Sequence, residues 1–81
     1  MDENNLIDMA NRIGDFFESM PDRDEALAGI ADHIHRFWEP RMRRTILAAL
    51  DGPPTEIEMT PIVREALLRH REALTPAATT A

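Results

Sequence analysis

The side chains of this chain that could do chemistry are few. They are three histidines, one serine, fifteen carboxylates and nine basic residues, with no cysteine. Without cysteine there is no thiolate to hold a metal or an iron–sulfur cluster, and no disulfide. That usage fits a reducing compartment. His33 and His35 stand two apart. On a helix they point about 200° apart, so they cannot share an ion. His70 is alone, and zinc asks for three or four converging ligands. The histidines therefore read as solvated or capping groups. Ser19, beside Met20-Pro21, has no base near it in sequence. No glycine-rich phosphate loop is present. The carboxylates of Asp22, Asp24 and Glu25 gather at a helix start, where the helix dipole accounts for them. No catalytic, cofactor-binding or metal-binding residue emerges, and the chain reads as a non-enzyme.

What stands out is the segment Phe37-Trp38-Glu39-Pro40-Arg41-Met42-Arg43-Arg44. It holds the only tryptophan and, with Arg36, gathers four arginines into nine positions, whereas the first 32 residues carry nine acidic groups against two arginines. Tryptophan beside arginine is the composition favoured at protein–protein contacts. The competing reading places Trp38 in a small core and the arginines in solvent. Phe16-Phe17 and Phe37-Trp38 are aromatic doublets. Neighbours on a helix point about 100° apart, so one of each pair is expected to be partly exposed. That is more apolar surface than a free monomer of this size usually shows. The candidate partner-binding residues are Phe17, Arg36, Trp38, Arg41, Arg43 and Arg44.

These residues must be positioned by helices. Leu6, Met9, Ala10, Ile13, Phe16, Phe17 and Met20 recur at three- and four-residue steps, which predicts a helix over about 6–20. Gly14 interrupts it and suggests a close helix crossing. Met20-Pro21 breaks the pattern, and Asp22 with Glu25 resembles a capping box. Ala26, Leu27, Ile30, Ala31, Ile34, Phe37 and Trp38 mark a second helix over 23–38, weakened at Gly29 and stopped by Pro40. The connection between these two helices is short enough to make them antiparallel neighbours.

Pro40 can open a third helix, 41–50, closed by Asp51-Gly52-Pro53-Pro54 with Gly52 suited to a left-handed cap. Residues 53–60 read as a linker, with Ile57 and Met59 resting on the core. Thr60-Pro61 starts a fourth helix, 61–74, with Leu68 off its apolar stripe. Residues 75–81 are expected to be a disordered tail. The expected fold is all-α, a single four-helix domain spanning 1–74. At this size only about 60–65% of the unfolded surface is buried, so docking or self-association is the expected route to stability.

A net charge of −6 argues against nucleic acid, whose binding rests on neutralising phosphates. No apolar run approaches a membrane span, and the acidic start is unlike an export signal. A cytoplasmic location is expected.

Three stretches carry a family resemblance. Leu6-Ile7-Asp8-Met9-Ala10-Asn11-Arg12-Ile13-Gly14-Asp15-Phe16-Phe17, Ala31-Asp32-His33-Ile34 and Phe37-Trp38-Glu39-Pro40-Arg41-Met42-Arg43 resemble the delta subunit of cytosolic NAD-dependent, molybdenum- or tungsten-containing formate dehydrogenase. Thr60-Pro61-Ile62-Val63-Arg64-Glu65-Ala66-Leu67 is similar to that family's last helix. The resemblance implies a small accessory subunit without cofactors of its own. It implies a complex whose alpha subunit carries bis-molybdopterin guanine dinucleotide and iron–sulfur clusters, and whose beta and gamma subunits pass electrons through FMN to NAD. The implied role is docking on alpha in support of assembly, cofactor retention or stability. Alternatives are a free assembly chaperone that binds the molybdopterin guanine dinucleotide through its arginines, or an unrelated self-associating helical adaptor. The isolated chain is also a candidate to pair with itself.

Overall fold

The computed structural model describes residues 2–76. Five helices and no strand are found among them: α1 Glu3–Glu18, α2 Arg23–Phe37, α3 Pro40–Asp51, α4 Pro61–Arg69 and α5 Arg71–Leu74. The fold is all-α, as the periodicity predicts. Of the expected tail, residues 77–81 lie outside the described residues.

The helix ends follow local chemistry. α1 starts earlier than its apolar stripe, at Glu3, because Asp2 already has the extended backbone of a cap and Glu3 places a carboxylate in the first turn. Half of the expected capping box forms at α2, where the Glu25 N–H donates to Asp22 Oδ1 at 3.2 Å. Pro40 and Pro61 each occupy the first helical position, behind the extended residues Glu39 and Thr60. Proline lacks only an N–H that would be unsatisfied there.

Two expectations are corrected. Gly52 does not take a left-handed conformation: its φ is −90° and its ψ −176°, and its N–H donates to Ala49 O. Pro53 follows it, and a residue before proline is pushed toward extended backbone. The last helix is not continuous over 61–74 either. It breaks at His70, whose φ of −107° and ψ of 21° separate α4 from α5. The break turns α5 against α2, and Leu74 enters the core at 1% exposure.

The core lies where α1, α2 and α4 meet, with α3 closing one side. Leu6, Leu27, Ile30, Ile34, Ile46, Ile62 and Leu67 fill it. Gly14 permits the α1–α4 approach, since a Cβ there would lie 2.7 Å from Val63 Cγ2. Gly29 does the same between α1 and α2, where Phe17 lies over its backbone.

The segment after α3 is stapled to α1 by two asparagines. The Ile57 N–H donates to Asn4 Oδ1 at 3.0 Å. The Thr60 N–H donates to Asn11 Oδ1 at 3.0 Å, and Asn11 Nδ2 donates to Glu58 O at 2.9 Å. These bonds satisfy backbone groups that no helix or strand could. Met59 packs on the core as expected, while Ile57 stays at the surface.

Candidate interaction surface

The aromatic doublets separate in opposite senses. Phe17, four residues on from the half-buried Ile13, lies half-buried across Gly29, and its neighbour Phe16 is 75% exposed. The two rings meet edge to face, with centroids 5.2 Å apart. In the second doublet Trp38 is the inner residue. It caps α2 with an N–H donated to Ile34 O and packs in the core at 5% exposure, while Phe37 is 68% exposed. The Phe37 ring rests on that of His33, with centroids 4.8 Å apart.

Phe16, Phe17 and His33 meet at one groove between α1 and α2. Arg12, Ile13, Phe16, Phe17 and His33 line it, and it encloses about 350 Å³. Phe37 extends the aromatic row past His33 along α2. The row results from helical spacing: Met9, Ile13 and Phe16 share one edge of α1, and His33 and Phe37 share one edge of α2.

The arginines singled out in sequence have different surroundings. Arg36 pairs along α2 with Asp32 at 3.2 Å. Arg41 approaches Glu39 at 3.9 Å, with both side chains largely exposed. Arg43 turns inward and ties α3 to the end of α5, where its Nη1 donates to Leu74 O at 3.4 Å while its Nε is buried without a partner. Arg44 is exposed. Of the six candidates, Phe17 lies in the groove, Trp38 in the core and Arg43 at a helix junction. Arg36, Arg41 and Arg44 are at the surface. Phe16 and Phe37, absent from that set, are the aromatic side chains presented to solvent. Their signal was the doublet itself, but periodicity alone does not say which member turns outward.

Elsewhere the polar side chains bind the helices to one another. Arg23 bridges α2 to Glu65 of α4 at 2.8 Å, and Arg69 bridges α4 to Asp24 at 2.6 Å. Arg71 of α5 pairs with Asp51 at the end of α3. The hydrogen bond from Arg71 holds the Asp51 carboxyl below its ordinary pKa and raises that of the guanidinium. Ser19 Oγ donates to Phe16 O at 3.4 Å, an ordinary helix-end contact.

His35 and His70 face a shallow cleft of about 250 Å³ between α2 and the α4–α5 break. Among the described residues, no group of three His, Asp or Glu side chains could hold a metal ion. A further concavity, about 460 Å³, runs beside residues 52–61 and includes Leu50, Pro53, Met59 and Arg64. No described helix is long and apolar enough to cross a membrane.

The described residues form a small all-α domain in which ion pairs join separate helices and the rings of Phe16 and Phe37 face solvent. The chain belongs to the family described as NADH-dependant formate dehydrogenase delta subunit FdsD, whose family model matches residues 5–67. The match takes in α2, α3, nearly all of α1 and most of α4, with both aromatic doublets, and it stops before α5. Comparison with curated proteins and with solved structures gave no match.

Proposed function

We propose that this chain is a non-catalytic subunit of an NAD-dependent formate dehydrogenase in the cytoplasm. It docks on the alpha subunit, which holds the molybdopterin centre, and supports assembly, cofactor retention or stability of the complex. The observation that carries this reading is the family match over residues 5–67. The exposed rings of Phe16 and Phe37 support it, because an aromatic row open to solvent is what a docking subunit needs and a free-standing domain does not. Formate oxidation, flavin reduction and NAD reduction fall to the other subunits.

The physical effect is mass action. A subunit that binds only the folded, cofactor-loaded partner raises the population of that state and leaves the reaction itself untouched. A tenfold excess of free chain over its dissociation constant stabilises the partner by about 1.4 kcal/mol.

The test is a native mass and metal analysis of the dehydrogenase purified with and without this chain. One copy per alpha subunit, with molybdenum or tungsten content falling in its absence, is the expected result. A fully loaded, equally stable enzyme that never contains the chain would reject the reading. A chain that raises metal loading yet leaves the finished enzyme would make it a free assembly chaperone.

A further inference from the structure

We propose that the α1–α2 groove is the docking site, and that its occupant is one amphipathic segment of a larger subunit whose apolar side chains are flanked by carboxylates. This rests on the reading of the chain as a docking subunit and adds the face and the chemistry of the partner.

Four observations converge on the groove. Its lining is aromatic and aliphatic, and Phe16 and Phe37, the most exposed large apolar side chains among the described residues, flank it. An aromatic side chain buries about 150–250 Å² when covered, so two of them can form the centre of a contact, with a rim completing it. The groove is about 350 Å³, which suits side chains from one segment and not a whole domain face.

Its charge singles out the occupant. The chain carries fifteen acidic side chains and a net charge of −6, yet the ionisable residues lining the groove are Arg12 and His33. Among the described residues Arg12 is held only by Asp8 at 3.2 Å, and its side chain is 79% exposed. Exposed pairs of this kind contribute little and exchange readily. A carboxylate on the partner can therefore take over the guanidinium while an apolar side chain fills the space beside Phe17. A second copy of the chain is disfavoured as the occupant, because two bodies of charge −6 repel.

The experiment uses the assembled dehydrogenase carrying the double variant Phe16→Ser, Phe37→Ser, and separately Arg12→Glu. All three side chains are at the surface, so the domain should keep its helical circular dichroism and melting temperature. Retention of each chain is read as its ratio to the alpha subunit after purification at low and high salt.

The expected result is a loss of at least about tenfold for the double variant, as for hot-spot residues. Arg12→Glu should weaken retention most at low salt, where an attraction becomes a repulsion. Arg64→Glu on α4, the same change of charge at an exposed position outside the groove, should leave the ratio unchanged. Folded Phe16→Ser, Phe37→Ser chain retained at the wild-type ratio would overturn the proposed face while the subunit reading stands. Absence of the wild-type chain itself from the enzyme would overturn both. A dimer of the isolated chain that the double variant dissolves, seen by sedimentation, would assign the groove to a second copy instead.

Discussion

Gly14 and Val63 fix the distance between α1 and α4: a Cβ built on Gly14 would stand 2.7 Å from Val63 Cγ2 and 3.2 Å from Ile62 Cγ2. Both neighbours are buried and β-branched, so neither can swing aside. Gly14→Ala improves helix propensity by about 1 kcal/mol, but overpacking a core costs about 1–3 kcal/mol. The steric effect wins. Urea denaturation should find Gly14→Ala less stable by roughly 1–2 kcal/mol. Adding Val63→Ala should recover part of that loss, because the two sites couple through one contact.

Gly29 makes the opposite case. Its hypothetical Cβ would meet Phe17 Cε1 at 2.5 Å, but that ring is half-exposed and can rotate outward. Gly29→Ala should therefore change stability by less than about 1 kcal/mol, the propensity gain offsetting the moved ring. Because Phe17 lines the α1–α2 groove, the same substitution should alter capture by the dehydrogenase more than it alters the melting temperature. Equal loss in both measurements would show that the ring cannot move.

Features with short-range causes were legible in the sequence. Pro40 and Pro61 open helices because proline at the first helical position is a local matter, and the capping role of Asp22 is equally local. Gly14 was legible as a close crossing because nothing else justifies glycine within an apolar stripe. Gly52 was misread although the signal, Pro53, stood beside it. The break at His70 has no marker of its own, since neither glycine nor proline is near. It follows from Leu74 reaching the core against α2.

Within the candidate surface, the doublets were legible and the orientation of each member was not. Phe37 and Trp38 both lie near the apolar stripe, and the choice between them is made by helices far away in sequence. The inward turn of Arg43 toward Leu74 has the same non-local origin.

Asn11 holds the 53–60 segment by both ends of its amide, accepting from Thr60 N–H and donating to Glu58 O. Asn11→Ala leaves both backbone groups without that partner and should cost about 1–2 kcal/mol. Asn11→Asp keeps the acceptor and sets a carboxylate against the Glu58 carbonyl, so it should not restore stability fully. Amide hydrogen exchange should accelerate first at Thr60, whose N–H loses its acceptor, and less at Ile57, which Asn4 still holds. Unchanged protection there would mean that the asparagine does not hold the segment.

The Asp51–Arg71 pair gives the fold an acid-sensitive clasp between α3 and α5. The carboxyl pKa is lowered in the folded chain by the Arg71 hydrogen bond, so its contribution is present above the unfolded value and fades as pH falls through the folded one. Both groups are solvent-exposed, and the effect is correspondingly small. Asp51→Asn should lessen the loss of stability below about pH 4, near the ordinary aspartate pKa, and change little of the pH dependence between 6 and 8. Denaturant midpoints taken across that range check it. An unaltered acid limb in the variant would show that other carboxylates set it.

Trp38 is the residue whose substitution most needs separating from docking. At 5% exposure it fills the core beside the α2–α3 corner, and truncating a buried tryptophan costs about 3–5 kcal/mol. Native domains hold only about 5–15 kcal/mol in total, and small ones sit near the lower end. Trp38→Ala should therefore lower the urea midpoint severely, whereas Trp38→Phe keeps most of the packing and should cost less than half as much. Since Trp38 is the only tryptophan, emission of the wild-type chain reports the same event and should shift to the red as the core opens. A Trp38→Ala chain that lost capture by the dehydrogenase would thus be reporting unfolding. Trp38→Phe should retain capture in proportion to its folded fraction. If Trp38→Phe stays fully folded yet loses the partner, the indole itself reaches the contact, and the corner at Pro40 must open on binding.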